Sequence, residues 1–93
     1  MKINLEKSAK NQLENIVSSN SNPKPFRIMV QNFSWRGPSF GLSRDEKQKE
    51  DTVVEVDGFT FLADSYVSEV LHEVNIEYSD KFFSKGFRII PIS

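Results

Sequence analysis

Cysteine is absent from all 93 residues, which removes disulfides, thiolate metal sites and thiol catalysis, and with them any reading of compartment from redox chemistry. Histidine occurs once, at His72, and tryptophan once, at Trp35. No segment approaches the ~20 apolar residues of a membrane span, and the N-terminal MKINLEKSAK lacks the apolar run of a signal peptide. The expectation is a cytoplasmic protein with no membrane partner. Neither sign of charge dominates: 12 Lys+Arg stand against 13 Asp+Glu, a net charge of -1. Such a chain has no overall attraction for a phosphate backbone, so nucleic acid is not an expected partner. A length of 93 residues suits one domain, residues 1–93, with a modest core that needs no staples.

What is present is strongly patterned. Leu5, Ala9, Leu13, Ile16 and Val17 recur at helical spacing with Lys7, Lys10, Gln12 and Glu14 on other faces, which predicts an amphipathic helix over about Glu6 to Ser18. SSNSNPKP then ends it, because Pro23 and Pro25 forbid continuation and the polar side chains compete for backbone hydrogen bonds. From Phe26 the period becomes two: Phe26, Ile28 and Val30 face one way, Arg27, Met29 and Gln31 the other. In TVVEVDGFTFLAD two β-rich runs flank Asp57-Gly58, a pair that tolerates the positive φ angles of a two-residue turn. A short helix over Tyr66 to Glu73 should follow, N-capped by Asp64 or Ser65, with Val67, Val70, Leu71 and Val74 at helical spacing. NIEYS and GFRIIPI read as two closing strands. Together these elements predict an α+β domain in which a curved sheet or small sandwich carries the core. Its expected members are Leu5, Ala9, Leu13, Ile16 and Val17 of the first helix with Ile28, Val30, Val54, Val56, Phe61 and Ile89.

Between the strand FRIMVQNF and the charge block RDEKQKED lies GPSFGL, two glycines, a proline and a phenylalanine in six residues. It reads as a constrained loop, with Gly37 in a turn before Pro38 and Gly41 at a bend or bulge. The charge block mixes signs and reads as a solvated, mobile connection. Catalysis is not expected. Ser39 and Ser43 have only His72 as an imidazole candidate and no elbow or oxyanion motif, while Asp45-Glu46 and Glu50-Asp51 are sequence neighbours that project apart if extended. In KFFSKGF, Phe83 and Phe87 share strand parity and Phe82 does not, so one ring is a candidate for exposure.

The collinear set INLEKSAKNQL, FRIMVQ, GPSFGL, VVEVDGFTFLAD, IEYSD and KGFRI resembles the HesB/IscA family of A-type iron-sulfur biogenesis proteins, nearest its HesB-like branch, over almost the whole chain. Gly37-Pro38-Ser39-Phe40-Gly41-Leu42 and Val56-Asp57-Gly58 are the most specific matches. The resemblance implies a compact, β-rich α+β fold, often dimeric, that binds iron or an iron-sulfur cluster through three cysteines. One of these lies in a C-S-G loop just before the glycine matched by Gly37, and two lie in a C-terminal CGC-type tail. Here Trp35 stands at the loop position with Arg36 after it, and the sequence ends at IIPIS without the tail.

Iron-sulfur clusters need thiolate or occasionally imidazole donors, and an indole N–H has no lone pair to offer a metal. The expectation is a family member without its cluster ligands: no cofactor, no metal, no enzyme activity, and a role as a binding or interaction module. Trp35, Arg36, Gly37 and Pro38 are the candidate surface, and a protein partner or a second copy the candidate occupant. Two arrangements of Trp35 are open from sequence: an exposed anchor at a loop tip, or a ring folded back beside Phe33 or Phe40. The alternative function is iron handling through oxygen ligands and His72, with Glu69 and Glu73 one helical turn apart.

Overall fold

In the computed structural model, residues 1–19, 24–82 and 85–92 are described. The chain opens on a strand that helical periodicity had masked. β1 (Lys2–Leu5) pairs in parallel with β6 (Glu73–Ser79), setting Ile3 against Val74 and Leu5 against Ile76. Leu5 therefore reaches the core from a strand rather than from the helix, and four residues are too few for a period-two signal to stand out. α1 (Lys7–Ser19) follows and packs on β6. Ala9 and Leu13 are fully buried and Ile16 packs at their margin, whereas Val17 is 42% exposed, so the helix buries a narrower stripe than its spacing predicted. Pro23 lies outside the described residues.

The remaining strands are β2 (Phe26–Ser34), β3 (Gly37–Arg44), β4 (Thr52–Val56), β5 (Phe59–Ala63) and β7 (Gly86–Pro91). They form two sheets, β1-β6-β7 and β3-β2-β5-β4. β3 runs beside β7 and β4 beside β1, so the sheets meet along both margins and close round one core. Ile28, Phe61, Val74 and Ile76 fill its centre with Leu13 and Val67 from the helices. Val30, Val54 and Val56 pack at its edge. This is the β-rich α+β fold the patterning predicts.

At the β4–β5 hairpin Asp57 and Gly58 take φ angles of 51° and 85°, as the Asp-Gly signal requires. α2 (Ser65–Val70) is N-capped by Asp64, whose carboxylate accepts the Val67 N–H at 2.9 Å. It stops at Val70, short of the expected Glu73. Leu71 leaves the helix in extended conformation to bury its side chain, and Glu73 already belongs to β6. Near the C-terminus Phe87 stacks edge-on to Tyr78 at 5.0 Å while Phe82 is fully exposed. Phe83 lies outside the described residues.

Residues 45–51 are tied at both ends to the body. Arg27, on the outward face of β2, grips both ends of the segment: Nε donates to Asp45 at 2.9 Å and the two terminal nitrogens donate to Asp51 at 2.8 and 2.6 Å. The Gln48 N–H adds a bond to Asp51 at 2.6 Å, and the Asp45 N–H donates to the Pro25 carbonyl. Only 2% of the Asp51 side chain remains exposed. A fork-shaped guanidinium facing a planar carboxylate is the strongest ion-pair geometry available to side chains.

Its consequence is electrostatic. The Arg27 bonds, helped by the Gln48 N–H, hold the Asp51 carboxyl down at about 2 from its ordinary 3.8. Asp45 also lies below its usual range, first through the Glu46 N–H and then through Arg27. For a carboxylate whose folded pKa is depressed, the stabilisation is complete above the unfolded value and disappears as pH falls through the folded one. The urea midpoint should therefore drop as pH is lowered from 3.8 to about 2, a loss of about 2 kcal/mol from this group. Asp51→Asn should remove that segment of the titration curve.

Candidate functional site

The segment read from sequence as a loop is the end of a two-stranded arm. β2 and β3 pair antiparallel from Phe26↔Arg44 to Ser34↔Gly37, with Trp35 and Arg36 as the turn. Glycine and proline are tolerated because β3 is an edge strand. Gly37 follows the turn at a φ of 110°, a conformation L side chains rarely adopt. With a two-residue turn Ser34↔Gly37 is the closing hydrogen-bonded pair, so Phe33↔Pro38 is a non-hydrogen-bonded pair and the nitrogen of Pro38 faces the open edge. A proline there removes a donor from an exposed margin without breaking the ladder.

Register shifts between Val30 and Asn32, leaving Gln31 as a bulge. The Gln31 side chain lies across Gly41, whose missing Cβ would sit 3.1 Å from it. Past the bulge the parity of β2 is reset. Val30 opposes the buried Phe40, and Phe33 opposes Pro38, two residues from Phe40 on the same face. Phe33 thus continues the apolar row beyond the end of the core and is 66% exposed; Met29, on the other face, is also exposed. Neither was singled out by sequence, since strict alternation from Phe26 puts Phe33 on the solvent face with Met29.

Trp35 is 89% exposed. This decides between the two arrangements left open by sequence: the ring does not fold back beside Phe33 or Phe40. Arg36 stacks on it, with Cζ 4.9 Å from the ring centroid. Asn32 Oδ1 accepts the Phe33 N–H at 2.9 Å, Ser34 Oγ accepts the Arg36 N–H at 3.2 Å, and the Ser39 hydroxyl donates to the Asn32 carbonyl at 3.4 Å. All four sequence-derived residues, Trp35, Arg36, Gly37 and Pro38, therefore gather at the end of one arm, with Phe33 as an unforeseen fifth member.

The oxygen-and-imidazole alternative fares differently. Because α2 ends at Val70, Glu69 and Glu73 are not one helical turn apart. Among the described residues no group of three His, Cys, Asp or Glu side chains is placed to hold a metal ion. Ser39 spends its hydroxyl on Asn32, and no hydrogen bond joins Ser39 or Ser43 to His72.

The fold and this arm define a class. The family model for iron-sulphur cluster biosynthesis matches residues 1–89, and the chain belongs to that family. A curated relative described as an uncharacterized protein in the nifU 5′ region of Azotobacter vinelandii is 30% identical over 90 residues, covering 95% of this chain and 84% of that protein. Among solved structures, Escherichia coli SufA, involved in biosynthesis of iron-sulfur clusters, superposes with a TM-score of 0.79 at 15% identity, over 97% of this chain and 80% of SufA. IscA with a 2Fe-2S cluster gives 0.72 at 20% identity, over 96% of this chain and 81% of IscA. An Aquifex aeolicus protein gives 0.73 at 20% identity, over 97% and 91% of the two chains.

A cluster does not fit the residues present. The 93-residue sequence contains no thiolate, the one imidazole lies after α2 and far in sequence from the arm, and the arm's end offers an indole and a guanidinium, both donors only. Among the described residues no helix is long and apolar enough to cross a membrane.

Proposed function

We propose that the chain is a non-catalytic, cytoplasmic interaction module on the iron-sulphur biosynthesis scaffold, holding no cluster and engaging a protein partner through Trp35, Arg36, Gly37 and Pro38, with Phe33 beside them. One observation carries this reading: the only tryptophan, at the position the resemblance assigns to a ligand cysteine, is 89% exposed at the end of an arm. Exposing a large apolar ring to water has a cost that an interface would recover, and Trp and Arg are the residue types most often found as binding anchors. Gly37 and Pro38 fix the turn that holds the pair out.

Comparison of the parent chain with Trp35→Ala tests the proposal. The ring touches little of the body, so the thermal midpoint should stay within the range of a surface substitution, while capture of the native partner should weaken by more than about 1 kcal/mol, roughly fivefold. Equal capture by both chains would remove the arm from the function. A large fall in thermal midpoint would mean that the ring packs as core.

A further inference from the structure

We infer that the partner presents an apolar pocket rimmed by carboxylate, a deepening that rests on the interaction-module reading. Of the four arginines in the chain, three are engaged: Arg27 with Asp45 and Asp51, Arg88 with Glu77, and Arg44 with the Lys24 carbonyl. The Arg36 guanidinium has no ion pair or hydrogen bond among the described residues and faces only the Trp35 ring. It is also the sole ionisable group from Ile28 to Ser43, so all thirteen carboxylate side chains lie outside the arm. With Arg36 stacked on the ring, docking Trp35 carries the guanidinium to the interface. A cation buried without a counter-charge is strongly unfavourable, and since the arm supplies none, the occupant must.

Hydrogen bonding at the arm's end narrows the mode of recognition. Asn32, Ser34 and Ser39 already satisfy backbone groups there, and Pro38 has no N–H to give the open edge. Addition of a partner strand at the arm's end would lack those donors, which favours insertion of the side chains into a pocket. A lipid surface is the weaker fit, because stable attachment through headgroups draws on a polybasic patch and the arm has one cation.

Zero-length crosslinking reads this directly. In an Arg36→Lys chain treated with a water-soluble carbodiimide in lysate of the native cell, an amide should form between position 36 and an Asp or Glu of one protein. That protein should be the one labelled when p-benzoylphenylalanine replaces Trp35, and the amide should vanish in Arg36→Lys/Trp35→Ala. Arg36→Glu should weaken its capture at least tenfold at low salt and less at high salt. A protein labelled from position 35, with no carboxylate joined at position 36 and with undiminished capture by Arg36→Glu, would overturn the acidic pocket while leaving the interaction module intact. No protein labelled from either position would overturn both. A blue shift of Trp35 emission on phosphatidylglycerol vesicles, with no protein adduct, would assign the arm to lipid and overturn the inference.

Discussion

Phe61→Ala should lower stability by about 3–5 kcal/mol, enough to unfold much of the population of a domain this small. Phe61 is 1% exposed at the centre of β5 and is flanked in register by Phe26 of β2 and Val54 of β4. Its ring lies 5.9 Å from that of Phe26, which in turn meets Phe59 at 6.4 Å. Truncation removes apolar contact and leaves a cavity walled by three strands, which cannot collapse without breaking ladder hydrogen bonds. A urea titration checks it, and Phe61→Leu, which keeps most of the volume, should recover a large part of the loss. A shift under about 1 kcal/mol for the alanine variant would mean that the two sheets do not close round this ring.

Arg27→Ala should cost a similar amount, about 3–5 kcal/mol, for a different reason. The substitution leaves the Asp51 carboxylate, 2% exposed, with the Gln48 N–H but no cation, and it frees Asp45 at the other end of the 45–51 segment. Two measurements separate this from loss of packing. The urea midpoint should fall at neutral pH, and it should no longer fall further on acidification through the range where Asp51 titrates in the parent. Replacing both partners with apolar residues of matching size should restore much of the stability, because no charge is then left unpaired. If Arg27→Ala and Asp51→Ala each cost nothing measurable, the tie is an exposed pair of little consequence.

The sequence made some of these features legible and hid others for definite reasons. Asp57-Gly58 marked its hairpin because two adjacent residues must accept positive φ, and Asp64 marked the start of α2 because a short acceptor caps a helix end. Alternation from Phe26 to Val30 identified the buried face of β2, and the order of motifs identified the scaffold. β1 was hidden because its four residues merge with the period of α1. The GPSFGL half of the β2–β3 arm reads as a loop because glycine and proline normally end strands, and only edge pairing makes Gly37, Pro38 and Gly41 compatible with one. Phe33 was missed because a one-residue bulge at Gln31 reverses parity, an event local composition does not announce. The Arg27 tie was invisible because its carboxylates lie 18 and 24 residues further along the chain. At the candidate site, the family resemblance matched Trp35 to the loop cysteine, but the orientation of the ring depended on whether the arm end meets the body.

The central claim is that this chain keeps the iron-sulphur biosynthesis scaffold while an exposed indole stands where a thiolate would hold metal. Anaerobic reconstitution with ferrous iron and sulfide, followed by desalting, an absorbance scan and metal and sulfide analysis, tests it most directly. The chain should emerge colourless, with no sulfide-to-iron charge-transfer band and no stoichiometric iron. A stable band with stoichiometric iron and sulfide retained by the cysteine-free chain would contradict the claim, and its loss in His72→Ala would restore the metal-handling alternative.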